Sequence, residues 1–352
     1  MRLRDMTMEE LEELEQTLHD QEEEGNYSLY SQKIAVYEEM HHKLKKRAQE
    51  KNEDQSYLEY VTKKLVFYLI HYGTYLKMQY EKDETAAVRC LKKALTYDRR
   101  NPIAAYRLGF LSYKRKDYTK ALIYFQEAIN HQNRYEEARY QLNETQLVHA
   151  HLYLTNSALH IAKHTYERMD ELPRNSRQEL PNYQFSTLYE SLAKNERYLE
   201  KHAFYKISQE EKTTCAKEEC EELMTHEPEN TIVLYFNDRT INLLFNEDQA
   251  NISQERGDIL RYLLLNTSKD SPATRNTLKN FFLQLNAREE VNIENFRQKI
   301  RRIRHDMREC RIPDVIQTTN YAGETAYYFD QSLPYIVMYR VDEEMGGGIK
   351  RL

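Results

Sequence analysis

The stretch FRQKIRRIRHDMREC, from Phe296 to Cys310, predicts a helix with one buried side and one cationic side. Apolar residues recur along it at steps of three and four, which is the spacing of one face of an α-helix. They are Ile293, Phe296, Ile300, Ile303 and Met307. Seven lysines and arginines lie between Phe296 and Arg311 against two acidic residues, in a chain with a formal net charge of -6. The helix is therefore expected to carry a basic face on an acidic protein.

The residues opposite the apolar stripe form the candidate site on this helix. At about 100° per residue, they are Glu294, Asn295, Gln298, Arg301, Arg302 and His305, with Arg297, Arg304 and Arg308 on one flank and Lys299 on the other. A solvated charged face is the ordinary explanation of such a pattern. The alternative is a surface that binds a polyanion, and the segments on either side of the helix help to decide between the two explanations.

Strand and turn signals surround the basic helix. Residues 231–243, TIVLYFNDRTINL, are β-branched and aromatic with a polar turn, which predicts a hairpin. NISQERGDILRYLLLN predicts a helix capped by Ser253, and SPATRNTLKNFFLQL predicts a second helix. After the basic helix, DVIQTTNYAGETAYYFD predicts two strands joined around Ala322, and residues 333–341 predict one more strand.

Strands, three helices and a terminal hairpin, in this order, describe a winged helix-turn-helix. Residues 231–330 resemble the DNA-binding domain of the OmpR/PhoB type of response regulator. Its recognition helix has an Ile-Arg-Arg-Leu-Arg core, which residues 300–304 match, and its wing has a Gln-Thr pair that leads into a Gly-bearing hairpin ending in Tyr-x-Phe. The wing residues that match are Gln317, Thr318, Gly323, Tyr327 and Phe329. The wing carries Glu324 and lacks the arginine usual at its tip.

The resemblance implies that the basic helix enters the major groove of double-stranded DNA. Arginine can bind guanine through two acceptors, and asparagine or glutamine can pair with adenine. The implied base-edge contacts are Asn295, Gln298 and Arg302, and the implied phosphate contacts are Arg297, Lys299, Arg301 and Arg304.

An internal repeat of 34 residues precedes this region. KDETAAVRCLKKAL aligns with KDYTKALIYFQEAI at that offset, and 34 residues is the length of a tetratricopeptide (TPR) unit of two helices. The unit from Pro102 resembles that family at Leu108 and Gly109, at Tyr113, and at the helix-packing positions Ala121, Phe125 and Ala128. Such arrays bind a peptide or another protein in a concave groove. The implied groove residues are Tyr106, Arg107, Phe110, Tyr113 and Lys114, and packing or solvation is the alternative role for each.

The predicted architecture is mainly α, with a TPR-like α-solenoid followed by a winged helix-turn-helix (α+β) domain. Low Gly and Pro contents, 8 and 7 residues, favour helices. The predicted parts are a helical repeat domain at 1–224, a linker at 225–230, a winged-helix domain at 231–330, and a C-terminal extension with a flexible tail at 331–352. Within the first part, further helices are predicted from about Phe185 to Tyr205 and from about Gln209 to Met224.

Other function classes find little support in the sequence. No P-loop, GxGxxG, GxSxG or HExxH motif is present, and the four cysteines are scattered, so no enzyme, cofactor or metal site is expected. No apolar run approaches the roughly 18 residues of a membrane span. We expect a bacterial, cytoplasmic transcription regulator that binds double-stranded DNA and a peptide or protein effector, or dimerises. The alternative is a non-enzymatic adaptor whose winged helix binds protein, which Glu294 and the negative net charge favour.

Overall fold

The computed structural model describes residues 2–23, 29–51, 55–78, 84–170, 190–237, 240–278 and 293–343. Across these ranges the chain is mainly helical, and its C-terminal part contains a β-sheet. The prediction of a mainly α chain is confirmed at this level. Among the same residues, no helix is both long and apolar enough to cross a membrane.

The N-terminal part is a run of helices in which each contacts the next. The helices are α1 (Met8–Glu23), α2 (Tyr30–Lys51), α3 (Gln55–Met78), α4 (Glu84–Tyr97), α5 (Pro102–Lys114), α6 (Tyr118–Gln132) and α7 (Glu144–Asp170). Short 3-10 helices lie at Leu3–Asp5 and Ala138–Tyr140. We call α1 to α7 the helical array.

Helices α5 and α6 show how local sequence sets the boundaries of a pair. The Asn101 side chain accepts a hydrogen bond from the Ala104 amide at 3.0 Å, and Pro102 occupies the first helical position, where no amide donor is needed. The Asp117 side chain caps α6 in the same way, by accepting from the Lys120 amide at 3.2 Å. Polar caps therefore begin both helices at the expected places.

A glycine lets the two helices of this pair approach closely. A Cβ added to Gly109 would lie 2.9 Å from the ring of Phe125, which is itself fully buried. In the preceding pair, a Cβ on Gly73 of α3 would lie 3.1 Å from Leu91 of α4. The earlier glycine precedes Tyr75, the residue that the 34-residue offset aligns with Gly109, by two positions. A glycine therefore allows close helix packing in both pairs, although the two glycines are not separated by the 34-residue period.

The C-terminal part is built on a six-stranded sheet in the order β2-β1-β8-β3-β4-β5. Strand β8 runs parallel to β3 and antiparallel to β1, and the other neighbours are antiparallel. The strands are β1 (Phe204–Ile207), β2 (Lys212–Cys215), β3 (Ile232–Phe236), β4 (Ile241–Phe245), β5 (Asp248–Ile252) and β8 (Tyr335–Arg340). A separate hairpin is formed by β6 (Ile316–Tyr321) and β7 (Glu324–Phe329).

Five further helices lie around the strands in the described residues. They are α8 (Leu192–Lys201), α9 (Lys217–Thr225), α10 (Gln254–Asn266), α11 (Arg275–Leu278) and α12 (Ile293–Glu309), and a 3-10 turn at Val341–Glu343 follows β8. Helix α10 begins directly after Ser253, as predicted, but the Ser253 hydroxyl accepts from Arg256 Nε and makes no capping hydrogen bond to the backbone. The predicted second helix is described only as α11, and the rest of its predicted length lies outside the described residues.

The two continuous helices predicted near residues 185–224 are only partly correct. The first is helical in α8, which ends at Lys201, and β1 begins at Phe204 within its predicted range. In the second, β2 replaces residues predicted as helix, and α9 (Lys217–Thr225) is the helical part. The strand segments FYKI and KTTC contain aromatic or β-branched residues, which favour extended backbone. The Ser208 hydroxyl accepts from the Glu210 and Glu211 amides and so stabilises the turn between the strands. Residues 185–189 lie outside the described part.

The sheet extends across the predicted linker at 225–230. Strands β1 and β2 precede that segment, β3 to β5 follow it, and β8 comes from the predicted extension at 331–352. Because β8 lies between β1 and β3, the last strand joins the two sides of the sheet. The predicted boundaries therefore pass through one continuous sheet. Residues 341–343, which follow β8, contact α5 and α7 of the helical array.

Candidate functional site

Helix α12 buries the apolar stripe that the sequence predicts. Phe296, Ile300, Ile303 and Met307 are at most 2% exposed and belong to a core that also contains residues of α10 and the sheet. Ile293 departs from the prediction, since 47% of its surface is exposed at the first position of the helix. One side of α12 is thus fixed against the protein, and the other side is available for a partner.

Two ion pairs hold α12 against α10. The Lys299 ammonium lies 2.9 Å from the Glu255 carboxylate, and the Arg256 guanidinium donates to both carboxylate oxygens of Asp306 at 2.6 and 2.7 Å. Lys299 is only 6% exposed. Its predicted role as a phosphate contact is therefore corrected, because its charge points into the fold, where it is paired with Glu255.

Arg304, another predicted phosphate contact, connects α12 to the hairpin. Its Nε donates to the carbonyl of Ile316 at 3.1 Å, and one Nη donates to the hydroxyl of Thr318 at 2.8 Å. The guanidinium also lies 5.6 Å from the centre of the Tyr327 ring. Arg304 therefore holds the hairpin against α12, and its own side chain is only partly exposed.

The remaining predicted residues lie on the outer side of α12. Gln298, Arg301, His305 and Arg308 are exposed and recur at steps of three, four and three, so they form one row, which we call the basic row. Arg297 is exposed beside this row, and its Nη2 donates to the Thr325 hydroxyl at 3.4 Å. Asn295 and Arg302 are half-buried.

The hairpin next to α12 presents an exposed tip. Ala322 and Gly323 have φ of 51° and 83°, so both turn residues adopt the left-handed region that a tight two-residue hairpin needs. Tyr321, directly before them, is 47% exposed. Glu324 lies 3.4 Å from Arg275, so its negative charge is paired at this edge of the hairpin.

The predicted groove of the array is occupied by the chain itself. Tyr106 is fully buried and Arg107 is 6% exposed. The Arg107 guanidinium donates to the carbonyls of Asp342 at 3.3 Å and Glu343 at 2.9 Å. Gln146 of α7, which the sequence reasoning did not single out, donates to the carbonyl of Val341 at 2.7 Å. These residues therefore do not line an open groove in this structure.

The other three predicted groove residues have separate roles. The Phe110 ring lies 5.3 Å below the Arg340 guanidinium, beside the segment that fills the groove. The Tyr113 hydroxyl donates to Glu196 of α8 at 3.1 Å. Lys114 pairs with Glu84 at 3.0 Å and remains about half exposed. The structure thus brings Tyr106, Arg107 and Phe110 to one face and places the other two elsewhere.

Burial perturbs the titratable groups at this face. It raises the pKa of the Tyr106 hydroxyl well above its ordinary value, and the nearby Asp342 carboxylate acts in the same direction. Burial lowers the pKa of His149 to about 4, although Asp342 opposes the change. Tyr106 Oη and His149 Nε2 have no hydrogen-bond partner among the described residues. The face therefore contains neutral polar groups that its present occupant does not use.

No cluster of three or more His, Cys, Asp or Glu side chains in the described ranges is arranged to hold a metal ion. The chain was also compared with protein-family models, with curated proteins and with solved structures, and none of the three comparisons found a match.

Proposed function

We propose that the chain is a DNA-binding transcription regulator. In this proposal α12 and the β6–β7 hairpin are the recognition helix and wing of a winged helix, and α12 enters the major groove. The array acts as a TPR-like solenoid that binds a peptide or protein effector or dimerises. The observation that carries the proposal is the basic row, exposed on a helix whose opposite side is buried and pinned.

The chemistry of the basic row suits this role. A major groove is about 12 Å wide and admits one α-helix, whose outward side chains then face base edges and phosphates. Gln298 provides an amide for adenine, and Arg301 and Arg308 provide cations for phosphates. Since the whole chain has a net charge of -6, attraction to DNA has to come from this local concentration of cations.

The position of the hairpin supports the same reading. Arg304 and Arg297 both donate to residues of the hairpin, at Thr318 and Thr325. The helix and the hairpin therefore behave as one unit, with the tip residues 320–323 exposed beside it. A rigid pair of this kind favours recognition, because little ordering is needed on binding.

The test is binding of the full chain to a fluorescent pool of random duplex DNA at increasing salt. We expect the logarithm of the affinity to fall linearly with the logarithm of the salt concentration. Replacing both Arg301 and Arg308 with alanine removes two expected phosphate contacts, so the slope decreases by roughly two. The matched control replaces both Arg99 and Arg100 with alanine, which removes two exposed arginines between α4 and α5.

Absence of binding by the wild-type chain at low salt contradicts the proposal, as does an equal effect of the control and the basic-row variant. In that case the exposed helix would serve a protein partner, as in the adaptor alternative. Where the wild-type chain does bind, sequencing of the bound fragments gives the preferred site, and Gln298→Ala is expected to relax one position of it by about 1–3 kcal/mol.

A further inference from the structure

The segment that fills the array's inner face is held by its main chain. Three successive carbonyls, those of Val341, Asp342 and Glu343, accept hydrogen bonds from Gln146 and Arg107. Both donors are buried, and they come from α7 and α5. In these bonds the donors contact backbone oxygens, so they hold the main chain of the segment in place.

The side chains of the segment are also buried. Val341 and Asp342 are 1% and 4% exposed. The Asp342 carboxylate pairs at 2.8 Å with the guanidinium of Arg340, the last residue of β8, and that guanidinium also lies over the rings of Phe110 and Phe204. The charge of Asp342 is therefore compensated by the strand that precedes the segment, and the segment contacts the array as a 3-10 turn.

The occupant leaves part of the face unused. Tyr106 and His149 are 0% and 3% exposed, and neither Tyr106 Oη nor His149 Nε2 has a hydrogen-bond partner among the residues that the structure describes. Leaving a buried polar group without a partner is unfavourable, because the group loses its hydrogen bonds to water. A ligand that offers partners to these two groups would gain an advantage over the present occupant.

We infer that the face formed by α5 and α7 is a binding site for a peptide main chain, occupied here by Val341–Glu343 as a built-in ligand. An external effector therefore has to carry an acidic peptide segment of the same kind, which takes the place of Val341–Glu343. The inference rests on the proposed function, because it names the partner of the array. A tethered ligand has an effective concentration on the order of millimolar, so an external peptide competes poorly until the built-in ligand is weakened.

The test uses the full chain and a fluorescent peptide of the sequence MYRVDE, which copies residues 338–343. Asp342→Gly weakens the built-in ligand, since it removes the pair with Arg340 and adds backbone freedom. Val341→Ala is a second, milder variant that removes methyl groups buried where the segment leaves the core of the C-terminal part. We expect both variants to bind the peptide at least about tenfold more tightly than the wild-type chain does, as release from intramolecular competition requires. Adding Arg107→Leu should abolish the gain.

A peptide with lysine in place of its aspartate is the matched control, and it should bind more weakly. The inference is overturned if folded Asp342→Gly and Val341→Ala chains bind the peptide no better than the wild type, or if Arg107→Leu leaves binding unchanged. DNA binding is measured on the same samples. Peptide binding without DNA binding overturns the proposed regulator alone, and DNA binding without peptide binding overturns this inference alone.

Discussion

Two arginines in two regions of the molecule show how differently one residue type is used. Arg301 lies on the basic row of α12 and is exposed, whereas Arg107 is buried on the inner face of the array with two backbone carbonyls as acceptors. Both sit on helices that the sequence predicts. Exposure on one helix and burial on the other follow from what the rest of the chain places against each, and we therefore propose different functions for the two surfaces.

The largest effect is expected from breaking the buried contact. Arg107→Leu removes two charge-assisted hydrogen bonds and leaves buried carbonyls without donors, so the free energy of unfolding should fall by about 3 kcal/mol. Urea unfolding followed by circular dichroism measures it. Arg301→Leu is the control and should change stability by less than about 0.5 kcal/mol. Similar losses of stability for the two variants would contradict the burial of Arg107 and the exposure of Arg301.

The next effect compares two glycines, one in each region. Gly109→Ala forces a Cβ to within 2.9 Å of the Phe125 ring, and overpacking of this kind costs about 1–3 kcal/mol. Gly323→Ala meets no atom within 4 Å, but its φ of 83° costs an L-residue about 1 kcal/mol. Thermal unfolding should therefore show the larger drop in Tm for Gly109→Ala. The reverse order would contradict the close packing of α5 on α6.

A pH dependence should come from the inner face of the array. Burial lowers the pKa of His149 to about 4, below its ordinary value of 6.5, so the unfolded chain binds this proton more readily than the folded chain does. Its stabilisation is present above pH 6.5 and is lost as the pH falls toward 4. Between pH 6.5 and pH 5 the loss is about 2 kcal/mol.

His71 contributes in the same direction, because burial, with the charges of Arg107 and Arg139, lowers its pKa to about 3. Urea unfolding at several pH values should therefore show a slope that His149→Leu reduces by about half. Gln298→Leu, on the exposed basic row, is the control, since it changes no titratable group and should leave the slope unchanged. An unaltered slope in the His149 variant would show that this side chain is solvated in the folded chain and would contradict its burial.

The smallest effect concerns the ion pairs that fasten α12. Replacing Lys299 with methionine removes one partner of a mostly buried pair and leaves Glu255 without its cation, so stability should fall by about 1–2 kcal/mol. Because Lys299 does not face outward, the salt dependence of DNA binding should not change. A decrease of the salt slope by about one would show that Lys299 does contact a DNA phosphate and would contradict its inward position.

Local patterns in the sequence predicted much of this structure. The apolar spacing of α12 gave its buried side, the Ala322-Gly323 pair gave the hairpin, and Gly109 with Phe125 gave the packing of α5 on α6. Each of these rests on residues close in sequence or on a repeated unit, where periodicity and sterics carry the information.

Contacts across the chain were not predictable in this way. Arg107 and Asp342 are 235 residues apart, and no periodic pattern links them. The prediction of helix at β2 and at the start of β1 is wrong because these short strands are stabilised by pairing in a sheet that includes β8, which comes more than a hundred residues later. Lys299 lies on the edge of its helix, and only the presence of Glu255 on α10 determines that it points inward.

The most direct test of the account is chemical modification of arginines by phenylglyoxal, mapped by mass spectrometry with and without duplex DNA. The account predicts that Arg301 and Arg308 react quickly in the free protein and are protected by DNA, while Arg107 reacts slowly in both samples. Equal reactivity of Arg107 and Arg301, or modification of the basic row that DNA does not slow, would contradict it.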